Sequence, residues 1–127
     1  MDPPIHLVAD PDRDARAILE LALRHAGYHP VCVPDGDSAI AVARHHPVAA
    51  LITELYLSCG RERCLLHALR KDRALRDTPV VVHTAHAREA DRRWAQEAGY
   101  DAYFIKPTSV VDVLTALGSL RHHPLAD

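Results

Sequence analysis

Val80-Val81-Val82-His83-Thr84 is the stretch whose reading decides the fold. A short apolar run dominated by β-branched residues and closed by polar ones describes a strand buried in a sheet. Three further runs of this kind read the same way: Ile5 to Ala9, Ala49 to Thr53, and Ala102 to Ile105, which ends at Lys106-Pro107. His29 to Val33 is a weaker strand, because Pro30 suits only an edge or a strand start.

Helical periodicity fills the gaps between these runs. Asp14 to Ala26 places Ala15, Ile18, Leu19, Ala22 and Leu23 on one face, and Gly27 stops it. Asp35-Gly36 makes a turn, and Asp37 is placed to cap a helix carrying Ala39, Ile40, Val42 and Ala43. Arg61 to Lys71 carries Leu65, Leu66 and Leu69, while Arg88 to Ala98 carries Trp94, Ala95 and Ala98 and closes at Gly99. Ser109 to Asp112 resembles a capping box ahead of Val113, Leu114 and Leu117. Strand and helix alternate throughout, which predicts an α/β fold: a doubly wound, five-stranded parallel sheet with helices on both faces. One domain is expected over residues 1–127, with its core at about 5–120 and a fraying tail from Arg121 to Asp127.

Composition narrows the function classes. The formal net charge is −2 with both signs interspersed, so no basic arm or patch marks a nucleic-acid or membrane-surface binder. No apolar run approaches the ~20 residues that span a bilayer. Met1-Asp2-Pro3-Pro4 lacks the features of a signal peptide, and three cysteines (Cys32, Cys59 and Cys64) suit a reducing compartment; a cytoplasmic location is expected. Cys59, Cys64 and His67 can be drawn as a zinc cluster, but structural zinc wants four ligands and closer cysteine pairs. The chain carries ten histidines scattered along its length, so chance proximity explains that grouping.

Ligands of open α/β sheets bind at the carboxyl ends of the strands. That rule brings Asp10-Pro11-Asp12, Glu54, Thr84 and Lys106 to one rim. Carboxylates, a hydroxyl and an ammonium thus converge on one rim; each alone is unremarkable, and their joint placement is the signal.

With these residues in place the sequence resembles the response-regulator receiver family of two-component signalling over about residues 5–120. The register runs without a gap through Asp10, Gly27-Tyr28, Asp35-Gly36, Leu51-Ile52-Thr53-Glu54-Leu55, Thr78-Pro79-Val80 to Ala85, Glu97-Ala98-Gly99 and Lys106-Pro107. The resemblance implies a flavodoxin-like (βα)5 fold with strand order 2-1-3-4-5. It implies a Mg²⁺-holding acid at Asp10, phosphoryl contacts at Thr84 and Lys106, and a switching aromatic at Tyr103. The partners it implies are a histidine kinase or a downstream effector.

The departures from the family pattern point to a degenerate, pseudo-receiver variant. Glu54 stands where the acceptor aspartate is expected, Pro11 at the second metal-binding acid, Ser58 at a usual proline, and Cys59-Gly60-Arg61-Glu62 at a usual glycine-rich turn. Sliding the first loop so that Asp10 becomes the second acid leaves Ala9 as the first, so one acid is missing in either register. Proline offers Mg²⁺ no side-chain oxygen, so a weak site is expected from Asp10 and Glu54, with Asp12 as a further candidate ligand. Glutamate extends its carboxylate roughly 1.5 Å beyond that of aspartate. A misplacement of about 1 Å can cost ~10²-fold in an in-line transfer. Phosphorylation at Glu54 is therefore disfavoured, and two readings stand side by side: the longer side chain reaches Lys106 and Thr84 directly, imitating the phosphorylated pocket, or Glu54 is a neutral relic on a solvated rim.

The function expected is a signalling module acting through protein contacts, not an enzyme. Its output surface would be residues 88–120, a candidate face for pairing two copies, with Phe104, Val110 and Val113 as candidate contacts. One alternative is a conventional receiver phosphorylated with Mg²⁺ on a pocket carboxylate. A remoter one is a haloacid-dehalogenase-like phosphatase, with Asp10 as nucleophile and Asp12 as acid–base. Against it, Asp14 stands where that family has Thr or Val, Asp112 is alone where paired acids are expected, and the chain leaves no room for a cap. No Gly-x-Gly-x-x-Gly follows a strand, so a dinucleotide site is not expected.

Overall fold

The computed structural model describes residues 3–60, 65–107 and 110–121. Its elements alternate as β1 (Ile5–Ala9), α1 (Arg13–His25), β2 (Pro30–Val33), α2 (Gly36–His45), β3 (Val48–Thr53), α3 (Leu65–Lys71), β4 (Val80–Thr84), α4 (Glu89–Ala98), β5 (Ala102–Ile105) and α5 (Val110–Arg121). The five strands are parallel in the order β2-β1-β3-β4-β5. This is the doubly wound fold expected. The weak strand takes an edge and begins at Pro30, where the missing N–H interrupts no central ladder.

Two apolar layers clamp the sheet. Leu7, Ala9 and Leu51 pack with Ala39, Ile40 and Ala43 of α2 and with Leu65, Leu66 and Leu69 of α3. Val8, Ile52 and Val81 point to the opposite face and meet Leu19 and Leu23 of α1 and Val113 and Leu117 of α5. Consecutive strand residues thus serve opposite layers, which is why these strands read as unbroken apolar runs. Leu55, Val82 and Ala95 form a smaller cluster that seats α4.

Several local expectations change. Asp35, not Asp37, caps α2: its carboxylate accepts from the Ser38 N–H at 2.7 Å. Asp37 turns away and accepts from the Gly60 N–H at 2.8 Å, tying α2 to the loop after β3. Asp12 caps α1, so that helix starts one residue earlier than its apolar period suggests. Ile18, expected on the core face, is exposed, because the sheet covers only the narrower stripe of Ala15, Leu19 and Leu23. Val113 is fully buried against the sheet and so offers no contact surface, and Phe104 packs partly buried beside it. Val111, two positions earlier in the helix, is exposed. Gly99 ends α4 at φ 106°, the left-handed conformation that favours glycine.

The proposed start of the third helix at Arg61, Glu62 in the loop before it, Cys64 of the drawn zinc cluster, the capping box at Ser109 and the tail at 122–127 lie outside the described residues, as does the Val110 side chain. Among the described residues no helix is long and apolar enough to cross a membrane.

Candidate functional site: a carboxylate–ammonium cluster at the sheet rim

Three backbone hydrogen bonds bring the rim residues together. The Asp10 N–H donates to Val33 and the Glu54 N–H to Ala9, carrying the β2-β1-β3 ladder one residue past the strands. The Lys106 N–H donates to Thr84 at 2.7 Å, doing the same between β4 and β5, and the Lys106–Pro107 peptide is cis. Asp10, Glu54, Thr84 and Lys106 consequently leave the sheet side by side, from four different strands.

Their side chains form one connected group. Lys106 Nζ lies 2.7 Å from Asp10 Oδ2 and 3.1 Å from Glu54 Oε2. The Thr84 hydroxyl donates to Glu54 Oε1, which also accepts the Leu55 N–H at 3.1 Å. Asp10 Oδ1 accepts the Asp12 N–H at 2.8 Å. The Asp10 side chain is 3% exposed, whereas Glu54 and Lys106 keep 19% and 20% of theirs in contact with solvent. Burial by itself would lower the Lys106 pKa, but the hydrogen bonds and charges of Asp10 and Glu54 outweigh it and raise the pKa above its ordinary value. Lys106 is therefore a full positive charge held between two carboxylates.

The remaining predicted residues are placed as follows. Tyr103 packs partly buried against Leu55, Val82 and Ala95, with its hydroxyl donating to the His86 carbonyl at 2.7 Å. Burial first, and then the Asp91 charge, raises its phenol pKa. Asp12 spends a carboxylate oxygen on the Asp14 N–H as the cap of α1. Pro11 contributes its carbonyl, which together with that of Asp10 accepts from Arg16 Nη1 at 3.1 and 2.8 Å.

This donor set does not suit Mg²⁺. The ion wants near-octahedral oxygen ligation. Here two carboxylates converge, and every one of their four oxygens already accepts a hydrogen bond from Lys106, Thr84 or a backbone N–H. Among the described residues no group of three His, Cys, Asp or Glu side chains is arranged to hold a metal ion.

Three further residues gather beside this group. Tyr56, two residues beyond Glu54, donates its hydroxyl to Asp91 of α4 and meets the His86 ring edge-on at 4.9 Å. Sequence reasoning passes over them, since an acid in the first turn of a helix normally faces water.

A family profile described as the response regulator receiver domain matches residues 6–118. The chain belongs to that family. Among curated relatives, the receiver is 32% identical over 114 residues to the probable transcriptional regulatory protein TcrX of Mycobacterium tuberculosis, covering 90% of this chain and 48% of that one. It is 28% identical over 124 residues to the response regulator ArlR of Staphylococcus aureus, covering 95% and 54%. The chain thus spans about half the length of the curated relatives it matches. Solved structures agree on the fold. A response regulator from Desulfuromonas acetoxidans superposes with a TM-score of 0.86 at 18% identity, covering 93% of this chain and 96% of that one. The chemotaxis protein CheY4 of Vibrio cholerae superposes with a TM-score of 0.82 at 19% identity, covering 94% and 99%. Asp10 and Asp12 are accordingly read in a receiver frame.

Proposed function

We propose that this receiver signals through protein contacts, with Glu54 as a fixed charge in place of a phosphorylated acceptor. The observation that carries this reading is the Lys106 ammonium seated between Asp10 and Glu54 while the Thr84 hydroxyl holds the other Glu54 oxygen. In the family pattern, Thr84 and Lys106 are the groups that take phosphoryl oxygens. Here a carboxylate longer by one methylene already engages both. The partly buried Tyr103, with its hydroxyl held by the His86 carbonyl, supports the same reading. The proposal extends to a histidine kinase or a downstream effector as partner, to a cytoplasmic setting, and to pairing of two copies through residues 88–120, where Val111 is exposed.

Intact-mass measurement after incubation with acetyl phosphate and Mg²⁺, alongside beryllofluoride titration followed by NMR, tests this. The expected result is no stoichiometric gain of one phosphate and no saturable shift at Glu54, Thr84 or Lys106. A one-phosphate mass gain mapped to Glu54 or Asp10 would establish the conventional receiver instead.

A further inference from the structure

Tyr56 sits in the turn that follows Glu54, and Asp91 in the first turn of α4. The Asp91 side chain is 3% exposed. It accepts the Tyr56 hydroxyl, with Arg88 Nε 3.3 Å away on its other oxygen. The Tyr56 ring is clamped as well, edge-on to His86 and 5.6 Å from the Trp94 ring. His86 belongs to the loop leaving Thr84, and its carbonyl receives the Tyr103 hydroxyl.

The phenol–carboxylate bond has the character of a charge-assisted contact, the stronger class of hydrogen bond. The hydrogen bond to Asp91 pushes the Tyr56 phenol up to about 12, with burial adding to it. The same bond holds the Asp91 carboxyl below the usual carboxylate range, with Arg88 helping. Yet the Tyr56 ring remains 45% exposed, so apolar burial alone does not fix its position. The bond to Asp91 does.

We propose that Tyr56 is a positioning residue that couples the Glu54 carboxylate to the first turn of α4, setting where the α4 surface lies for a protein partner. The path is short and made of directional contacts. Glu54 Oε1 accepts the N–H of Leu55, so the carboxylate and the chain leading to Tyr56 are fixed relative to each other. Tyr56 then grips Asp91, and α4 follows. The inference rests on the reading of Glu54 as a fixed charge.

Trp94, the only tryptophan of the chain, lies on α4 beside Tyr56 and reports on this contact. The test is a double-mutant cycle of Glu54→Gln and Tyr56→Phe, read by Trp94 emission and by amide hydrogen exchange over residues 91–95. In the Tyr56 background, Glu54→Gln is expected to shift the emission and to speed exchange by about tenfold, the scale of one hydrogen bond to an ionised group. In the Tyr56→Phe background that response should fall below about a third of its size, a non-additivity that direct coupling requires. Equal responses in both backgrounds, or none in either, would overturn the proposal. Should Tyr56→Phe fail to fold by far-UV circular dichroism, Asp91→Ala reads the same bond from its other end with the same expected loss. Phosphate uptake is read separately by mass, so the fixed-charge reading and the coupling fail independently.

Discussion

Replacing Lys106 by methionine removes one charge from between two carboxylates and keeps a stem of similar length. The distances set the magnitude. With Nζ 2.7 Å from Asp10 and 3.1 Å from Glu54, the two oxygens it joins are no more than about 6 Å apart. At an effective dielectric of about 20, two like charges at that separation repel by about 3 kcal/mol once the ammonium is gone. Desolvation is already spent on Asp10, which is 3% exposed, whereas solvent screens Glu54, which keeps 19% of its side chain exposed. A net loss of about 2–3 kcal/mol at pH 7 is expected, a fall in Tm of roughly 10 °C for a chain of this size. Urea unfolding at pH 7 measures it. The pH dependence comes from Lys106 itself. The folded-state pKa of Lys106 is raised, so its contribution is complete below its unfolded pKa and is lost as pH climbs through the folded value. The advantage of the natural protein over the variant should therefore fade only above about pH 10.5. A loss under about 0.5 kcal/mol at pH 7, or one that persists unchanged well above about pH 10.5, would refute the placement of Lys106 between the two acids.

Other perturbations follow from the same geometry. Thr84→Val removes the donor to Glu54 Oε1 while the Leu55 N–H stays in place, and should cost about 1–2 kcal/mol in urea unfolding. Gly36→Ala would drive its Cβ into the Ser58 carbonyl oxygen and to 3.0 Å from the Cys59 Cβ. A backbone obstacle cannot rotate away, so thermal unfolding should reveal a loss of at least about 2 kcal/mol. Burial pushes the Cys32 thiol up from 9.0 to about 11. In a chain with Cys59 and Cys64 changed to serine, Cys32 should react with Ellman's reagent at pH 8 about a hundredfold more slowly than a free thiol of ordinary pKa, and a rate near the free-thiol value would contradict its burial.

Much of the architecture was legible because burial on both faces writes strands as continuous apolar runs. Val80 to Thr84, Ile5 to Ala9 and Ala49 to Thr53 therefore sit within a residue of their expected bounds. Gly27 and Gly99 announced their helix ends because a left-handed turn favours glycine. Local chemistry was less reliable where two residues compete for one role. Asp35 and Asp37 are both able caps, and only the approach of Gly60 across space decides that Asp37 faces the β3 loop. Val113 and Val111 differ by half a turn of helix, and which of them meets the sheet depends on how α5 is rolled against it.

The candidate site divides along the same line. Sequence by itself placed Asp10, Glu54, Thr84 and Lys106 on one rim, because strand ends in a parallel sheet converge whatever their side chains are. It also showed a glutamate and a proline where the family pattern has acids of another length and kind. Only tertiary structure decided that one ammonium lies against both carboxylates, because that depends on angstrom-scale distances between four strands far apart in the chain. It alone buried Asp91 beneath Tyr56, since a helical acid carries no local signal of which loop will close over it.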